Sequence, residues 1–300
     1  MIEVTGLSKS FDNIQALQQV SATIQKGSIF GLIGSNGAGK STFLRLLAGI
    51  YRPDAGTIRI DGQPVYENEA LKQRIFYISD DQFYFPNSNM EEMAQYYAVI
   101  YEKFSWERFR QLTELFQLDG KRKLNTFSKG MQKQAHMILA LASQPEYLFC
   151  DETFDGLDPV MRQAVKRLLA DAVVSQQLTP IIASHNLREL EDICDHIGLL
   201  HQGGIIFERE LDNLQSNIHK VQCAFAAPKK AEDFAGLELV KLEQRGNLSV
   251  LVARGDSADT EAYIKAMQPL YYEVLPLTLE EIFITEMEVL GYDIQQLIYQ

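Results

Sequence analysis

The sequence predicts an α/β fold on a mostly parallel sheet, followed by a small α+β domain. Three observations predict it. From residue 1 to about 216, β-type runs alternate with helix-type runs, the pattern of strands joined by crossover helices. Buried-strand runs at 29–33, 147–150 and 180–184 each stop in a polar cluster, and open α/β sheets hold ligands outside the carboxyl ends of their strands. The polar stretch 208–220 then reads as a linker helix and turn, after which the rhythm changes.

In chain order, the first strong element is the strand-like Ser28-Ile29-Phe30-Gly31-Leu32-Ile33, followed by Gly34-Ser35-Asn36-Gly37-Ala38-Gly39-Lys40-Ser41-Thr42 and a helix-type run. The nine residues fit G-x-x-x-x-G-K-[ST] in full, in the strand-loop-helix context that makes it a phosphate-binding loop. Its glycines let successive N–H groups point at one phosphate, and the positive end of the helix adds its partial charge. Lys40 reaches the β- and γ-phosphates, the Ser41 hydroxyl is a Mg²⁺ ligand, and Thr42 bonds a phosphate oxygen. A nucleoside triphosphate is the expected ligand.

Residues 82–118 are aromatic-rich and helical in pattern: Met90, Met93, Tyr97 and Tyr101 recur at helix spacing, as do Trp106, Phe109, Leu112 and Phe116, which predicts a helical insert whose stripes are mostly core. Next, Tyr147-Leu148-Phe149-Cys150 ends in Asp151 and Glu152. Strand alternation predicts that the two carboxylates point in different directions. Asp151 is then the partner of Mg²⁺, and Glu152 the group that polarises an attacking water. His185, after the run 180–183, ends another strand beside Ser184 and Asn186 and is placed to contact a γ-phosphate.

Past the linker, 237–242 and 248–252 read as strands around Arg245-Gly246-Asn247, 260–267 as a helix and 271–275 as a strand, a ββαβ unit. Thr278-Leu279-Glu280-Glu281 fits a capping box, and Leu279, Ile282, Phe283, Met287 and Leu290 form one stripe on the helix it opens. The domains are thus 1–216, with a helical part at about 82–143, and 217–300, which carries no chemistry-bearing cluster.

Composition limits the function. Apolar residues at 46% and charged residues at 23% are ordinary for a folded chain, so disorder is excluded. A net charge of −12 argues against nucleic acid as the main partner, because such binders carry a basic stripe. Cys150, Cys194 and Cys223 lack ligand spacing and read as reduced cytosolic thiols. The N-terminus has no signal core, and no run approaches the roughly 18 apolar residues that span a bilayer. Work at a membrane requires another chain to span it.

Phe127-Ser128-Lys129-Gly130-Met131 resembles a variant of the LSGGQ signature of ATP-binding cassette (ABC) proteins. The motif order over residues 1–216 also resembles that family: phosphate loop at Gly34, signature at Ser128, Walker B at Asp151 and Glu152, D-loop at Gly156-Leu157-Asp158, and switch histidine His185. The resemblance implies a P-loop NTPase ABC cassette with an antiparallel β edge and a helical subdomain. It implies ATP and Mg²⁺ as ligands, and Phe11 as the aromatic that stacks on adenine. It further implies a homodimer or heterodimer of ATPase subunits, in which Ser128 and Gly130 of one clasp the γ-phosphate held by Lys40 of the other, with Asp158 in the shared site.

Three departures stand out. Asp80 and Asp81 occupy the place of the family's Q-loop glutamine, with Gln82 two places late; Asp80 is a candidate to meet Mg²⁺ or water, and its charge beside a triphosphate retunes turnover. Lys129 replaces a glycine and Met131 the glutamine of the signature; Lys129 either attracts the opposed nucleotide or is merely solvated. Thr153 and Phe154 stand where proline and threonine are usual, which alters the loop's shape and not its charge.

The end Leu277-Thr278-Leu279-Glu280-Glu281-Ile282-Phe283 resembles the tails of ATPase subunits from bacterial exporters of drugs and antimicrobial peptides. The expected function is therefore Mg²⁺-dependent hydrolysis of ATP to ADP and phosphate, on the inner face of the cell membrane. It would power export of a drug, peptide or lipid-like cargo through separate permease subunits, which would dock near Phe83-Tyr84-Phe85-Pro86. The alternative is an ABC ATPase acting on a ribosome, DNA or an assembly scaffold. A nucleotide kinase is disfavoured by Ser128, Asp158 and His185. The C-terminal domain serves either to stabilise the cassette or its dimer, or to take part in substrate choice.

Overall fold

The computed structural model describes residues 1–210 and 218–289, the side chains of 206–210 and 286–289 excepted. The chain divides into two compact units, Met1–Glu208 and Arg209–Gln300.

The first unit holds two sheets. Its six-stranded sheet runs β10 (Gly204–Glu210), β9 (His196–His201), β3 (Phe30–Ile33), β8 (Thr179–Ser184), β7 (Tyr147–Asp151), β6 (Ile75–Ile78). The pairings from β9 across to β6 are all parallel. Every residue of β3, β7 and β8 is buried, as expected for parallel strands covered on both faces. Ile33 pairs with Ser184 and Asp151 with Ala183, so three strands end level and deliver their following loops to one edge.

The second sheet is antiparallel and runs β2 (Ile14–Ile24), β1 (Ile2–Phe11), β4 (Ala55–Ile60), β5 (Gln63–Pro64). Helix α1 (Lys40–Leu47) buries Phe43, Leu44, Leu46 and Leu47 in one core with Ile2, Val4 and Leu17 of this sheet and Phe149 and Ile181 of the other. An isolated helix of eight residues is unstable in water. Burial at roughly 1.5–3 kcal/mol for each large apolar side chain holds it in place.

After the short α2 (Glu69–Lys72), three helices lie between β6 and β7: α3 (Met90–Ile100), α4 (Trp106–Leu115) and α5 (Lys129–Ala142). Asn89 and Glu92 close a capping box on α3, and Ser105 and Ser128 cap α4 and α5. Met90, Met93, Phe109, Leu112 and Phe116 are buried, while Trp106 stays 39% exposed. Tyr97 and Tyr101 pack on Phe76 of β6 with centroids 5.1 and 5.3 Å away. The remaining helices of this unit are α6 (Pro159–Gln176) and α7 (Leu187–Glu191). Among the described residues, no helix is long and apolar enough to cross a membrane. All three cysteines are buried thiols, and burial pushes Cys150 up to about 12 and Cys223 to about 11.

The second unit differs from the ββαβ expectation. Its antiparallel sheet runs β12 (Glu238–Arg245), β13 (Leu248–Arg254), β11 (Ile218–Ala224), β14 (Tyr271–Pro276), with α8 (Ser257–Ala266) between β13 and β14. The inner strand β11 was the missing element, since residues 208–220 read as a linker helix and turn. In fact 208–210 end β10 and 218–220 open β11. His219, Lys220 and Gln222 conceal an alternation in which Val221 and Cys223 enter the core with Phe225, Phe234, Leu251 and Ile264. The boundary expected at 216/217 and the stripe residue Leu290 lie outside the described residues, as does the side chain of Met287. On α9 (Leu279–Val289), Thr278 Oγ1 accepts from the Glu281 N–H at 3.2 Å and Glu281 Oε2 from the Thr278 N–H at 3.0 Å. Leu279 and Ile282 are buried.

At the amino ends of β6 and β7, Arg74 and Lys26 each donate to Glu146 Oε2 at 2.9 Å, and Arg74 also reaches Asp61 in the turn after β4. Arg74 first, then Lys26, hold the Glu146 carboxyl at about 2, below its ordinary 4.5. The stabilisation is therefore present above about 4.5 and lost as pH falls toward 2. Urea midpoints across that window should fall less steeply for Glu146→Gln than for the unaltered chain; parallel curves would remove this linkage.

Candidate functional site

The loop after β3 wraps the start of α1. Gly37 and Gly39 take φ of +81° and +104°, values that side chains other than glycine seldom adopt. Gly34 is fixed by space: a Cβ there would stand 2.4 Å from the Leu200 carbonyl oxygen. The first-turn N–H groups of α1 have no partner within the helix, and they open on a pocket of about 330 Å³ lined by residues 36–42, Ile14, Gln15, Ala16, Asp80 and Glu152. Asn36, Gly37, Ala38, Gly39, Lys40, Ser41 and Thr42 therefore share one wall, while Gly34 and Ser35 anchor it. Lys40 is only 6% exposed; its ammonium donates to the Gly34 and Ser35 carbonyls at 2.8 and 3.3 Å and lies 3.3 Å from Glu152 Oε1.

The two carboxylates do face different ways, by another route than strand alternation. Strand β7 stops at Asp151, and Glu152 is left-handed, with φ +47°. Asp151, 1% exposed, accepts from the Ser41 hydroxyl at 3.0 Å and from the Tyr77 hydroxyl at 3.1 Å. Burial pushes its carboxyl above the ordinary range, against the pull of those two donors. A buried carboxylate joined to a loop hydroxyl, with only neutral groups bonding it, suits a divalent cation. Glu152 turns to Lys40 and to His185, whose Nδ1 lies 2.9 Å from Glu152 Oε2. An ionised carboxylate only accepts, so this contact places the proton on Nδ1.

The signature residues stand apart from that pocket. Ser128 caps α5 by accepting from the Met131 N–H at 3.2 Å, and Asp158 caps α6 by accepting from the Val160 and Met161 N–H groups at 3.0 Å. A Cβ on Gly130 would come within 2.6 Å of the Gly156 carbonyl oxygen, so signature and D-loop touch. Phe11, at the end of β1, is 38% exposed and meets Tyr51 edge-on at 5.2 Å, outside the residues that line the pocket.

Asp80 does line the pocket, and it is paired: Lys133 of α5 donates to its Oδ1 at 3.2 Å. Three contributors escaped sequence reasoning. Tyr77 sits mid-strand, three residues past Arg74 at the end of the preceding turn, with nothing local to mark it. Asp155 offers a carboxylate within 4.8 Å of donor atoms on Glu152 and His185. Lys133 lies five residues past Ser128, on the helix that the signature opens, and this spacing was the available signal.

Comparison with known proteins agrees with this geometry. A family model described as ABC transporter matches residues 17–155. The chain is 32% identical over 287 residues to the ABC transporter ATP-binding protein YtrB of Bacillus subtilis (strain 168), covering 95% of this chain and 98% of that one. It is 30% identical over 223 residues to the bacitracin transport ATP-binding protein BcrA of Bacillus licheniformis, 73% of each chain. A solved ATP binding subunit of an ABC transporter superposes with a TM-score of 0.66 at 26% identity, over 72% of this chain and 92% of the other. The chain thus belongs to the ABC transporter ATP-binding proteins and is the subunit, of a bacterial-type transporter, that binds ATP with Mg²⁺ and hydrolyses it.

Proposed function

We propose that hydrolysis takes place in the pocket over the 34–42 loop, with Glu152 as general base, Lys40 and the loop N–H groups as the triphosphate cradle, and His185 as the group that orients Glu152. The observation that carries this reading is the chain Lys40, Glu152, His185, joined at 3.3 and 2.9 Å, with Lys40 and Glu152 on the wall of one pocket and His185 behind them. Lys40 is held by two main-chain carbonyls, so it meets phosphate oxygens without first being ordered. Glu152, drawn off its ion pair by the arriving phosphates, takes a proton from the attacking water. Ser41 and Asp151 would hold the Mg²⁺, which would supply neutralising charge to the phosphate oxygens. Asp80, on the same wall, is balanced from behind by Lys133 of α5. Phe11 offers its exposed ring to adenine.

Ser128 and Gly130 act across a dimer of cassettes, with Asp158 at the joint, because they lie outside their own chain's pocket and open a helix whose N-terminus favours anions. Homodimer and heterodimer both satisfy this. The dimer drives a membrane permease, and the chain sits on the inner membrane face through that partner. Phe83, Phe85 and Tyr96, 61%, 40% and 41% exposed and in edge-to-face contact at 5.3 and 5.0 Å, form the docking surface, an aromatic patch of the kind that marks protein interfaces. Export of a drug, peptide or lipid-like cargo is the direction favoured by the tail motif at 277–283, and a drug or peptide cargo is in keeping with the likeness to the bacitracin transport protein.

Glu152→Gln should bind ATP and still dimerise in its presence, while phosphate release falls by about a hundredfold or more; an unchanged turnover would sink the general-base assignment. Phe83→Ser should leave ATP hydrolysis by the isolated subunit in place and reduce the membrane subunit that co-purifies with it. Full recovery of that partner would move the docking surface elsewhere.

A further inference from the structure

We propose that Lys133 is a positioning residue for hydrolysis, holding the main chain of Glu152 in its left-handed conformation and being held in turn by Asp80. This rests on the reading of Glu152 as general base.

Lys133 lies on α5 and is 7% exposed. A buried ammonium is tolerated only when it is paired and hydrogen-bonded. It has two partners: the Glu152 carbonyl oxygen at 2.5 Å and Asp80 Oδ1 at 3.2 Å. The first is the closest contact on that peptide, since the Asp155 N–H reaches the same oxygen only at 3.3 Å. On the other side, the Glu152 N–H donates to the Ala183 carbonyl at 3.0 Å. A non-glycine residue at φ +47° persists only where its surroundings over-determine it. A charge-assisted bond to its carbonyl is the strongest restraint available there.

Asp80 gives the pair its sensitivity. Its side chain is 60% exposed, and it lines the pocket over the phosphate loop as well as a neighbouring cleft that Lys133 and Lys129 also line. Triphosphate entering the first pocket places negative charge beside Asp80, and Lys133 offsets the repulsion while it keeps Glu152 in place. Because the same helix begins at the signature, any shift of α5 is transmitted through this ammonium to the main chain of the base.

The test is steady-state ATPase kinetics on the full chain, with melting curves and equilibrium ATP binding read alongside. Lys133→Met should lower kcat by about a hundredfold, the scale of a small misplacement of a reacting group, and leave KM within about threefold, the mark of an interaction realised in the transition state. Asp80→Asn, at an exposed side chain where folding is not at stake, should lower kcat several-fold with KM unchanged or reduced. In the double variant the two losses should combine to less than their product. Wild-type kcat in Asp80→Asn, strictly multiplicative losses, or a Lys133→Met defect confined to KM and melting temperature would each overturn the proposal. Glu152→Gln assayed in parallel separates the two claims: full turnover there removes the base itself, whereas loss there with intact Lys133→Met removes only its positioning by Lys133.

Discussion

The site depends on the parallel register of three buried strands. With Ile33 opposite Ser184 and Asp151 opposite Ala183, the loops that follow β3, β7 and β8 leave the sheet at one level. The phosphate loop, the two carboxylates and His185 therefore meet although 110 residues separate Ser41 from Asp151 and 33 separate Glu152 from His185. A one-residue slip of β7 would turn Asp151 to the opposite face of the sheet, taking it away from Ser41. Complete burial of these strands makes such a slip costly. The helix that carries Lys40 and Ser41 is pinned by the same core, through Phe43 and Leu44.

Charge is the second constraint. In a chain of net charge −12, the pocket would repel a triphosphate if its carboxylates stood unopposed. They are opposed one by one: Glu152 by Lys40, Asp80 by Lys133, and Asp151 by two hydroxyl groups in place of a cation. The last arrangement leaves Asp151 with much to gain from a bound metal, because burial disfavours its charge more than the two hydroxyl donors and the more distant Arg45 favour it. Overall acidity and local phosphate binding are compatible for this reason.

Much of the cassette was legible in the sequence because its signals are local. Residues 34–42, the pair Asp151 and Glu152, and the buried strands each announce themselves in a few adjacent positions, and the capping box at Thr278 and Glu281 formed as read. What escaped was non-local. Strand β11 is polar at three of its seven positions and gains its identity only between β13 and β14. Asp80 read as an unopposed negative charge because its partner is 53 residues away on α5. The divergence of Asp151 and Glu152 was anticipated from the pleat, yet it arises from a backbone conformation that no side-chain pattern encodes.

That conformation bears on how hydrolysis is timed. Glu152 is the first residue beyond β7, so the sheet fixes its N–H, while its carbonyl is bonded from a helix that also carries Ser128 and Gly130. The proposed base is thus suspended between a rigid element and a helix that opens at the signature. On the proposed reading, a partner cassette engaging Ser128 would move α5 or lock it, and either event would reach Glu152 through one ammonium group. Backbone strain of this kind, of order 1–3 kcal/mol, corresponds to roughly a fivefold to 150-fold change in the population of a productive geometry. A modest shift of the helix is therefore sufficient to couple dimer closure to turnover without moving the phosphate loop.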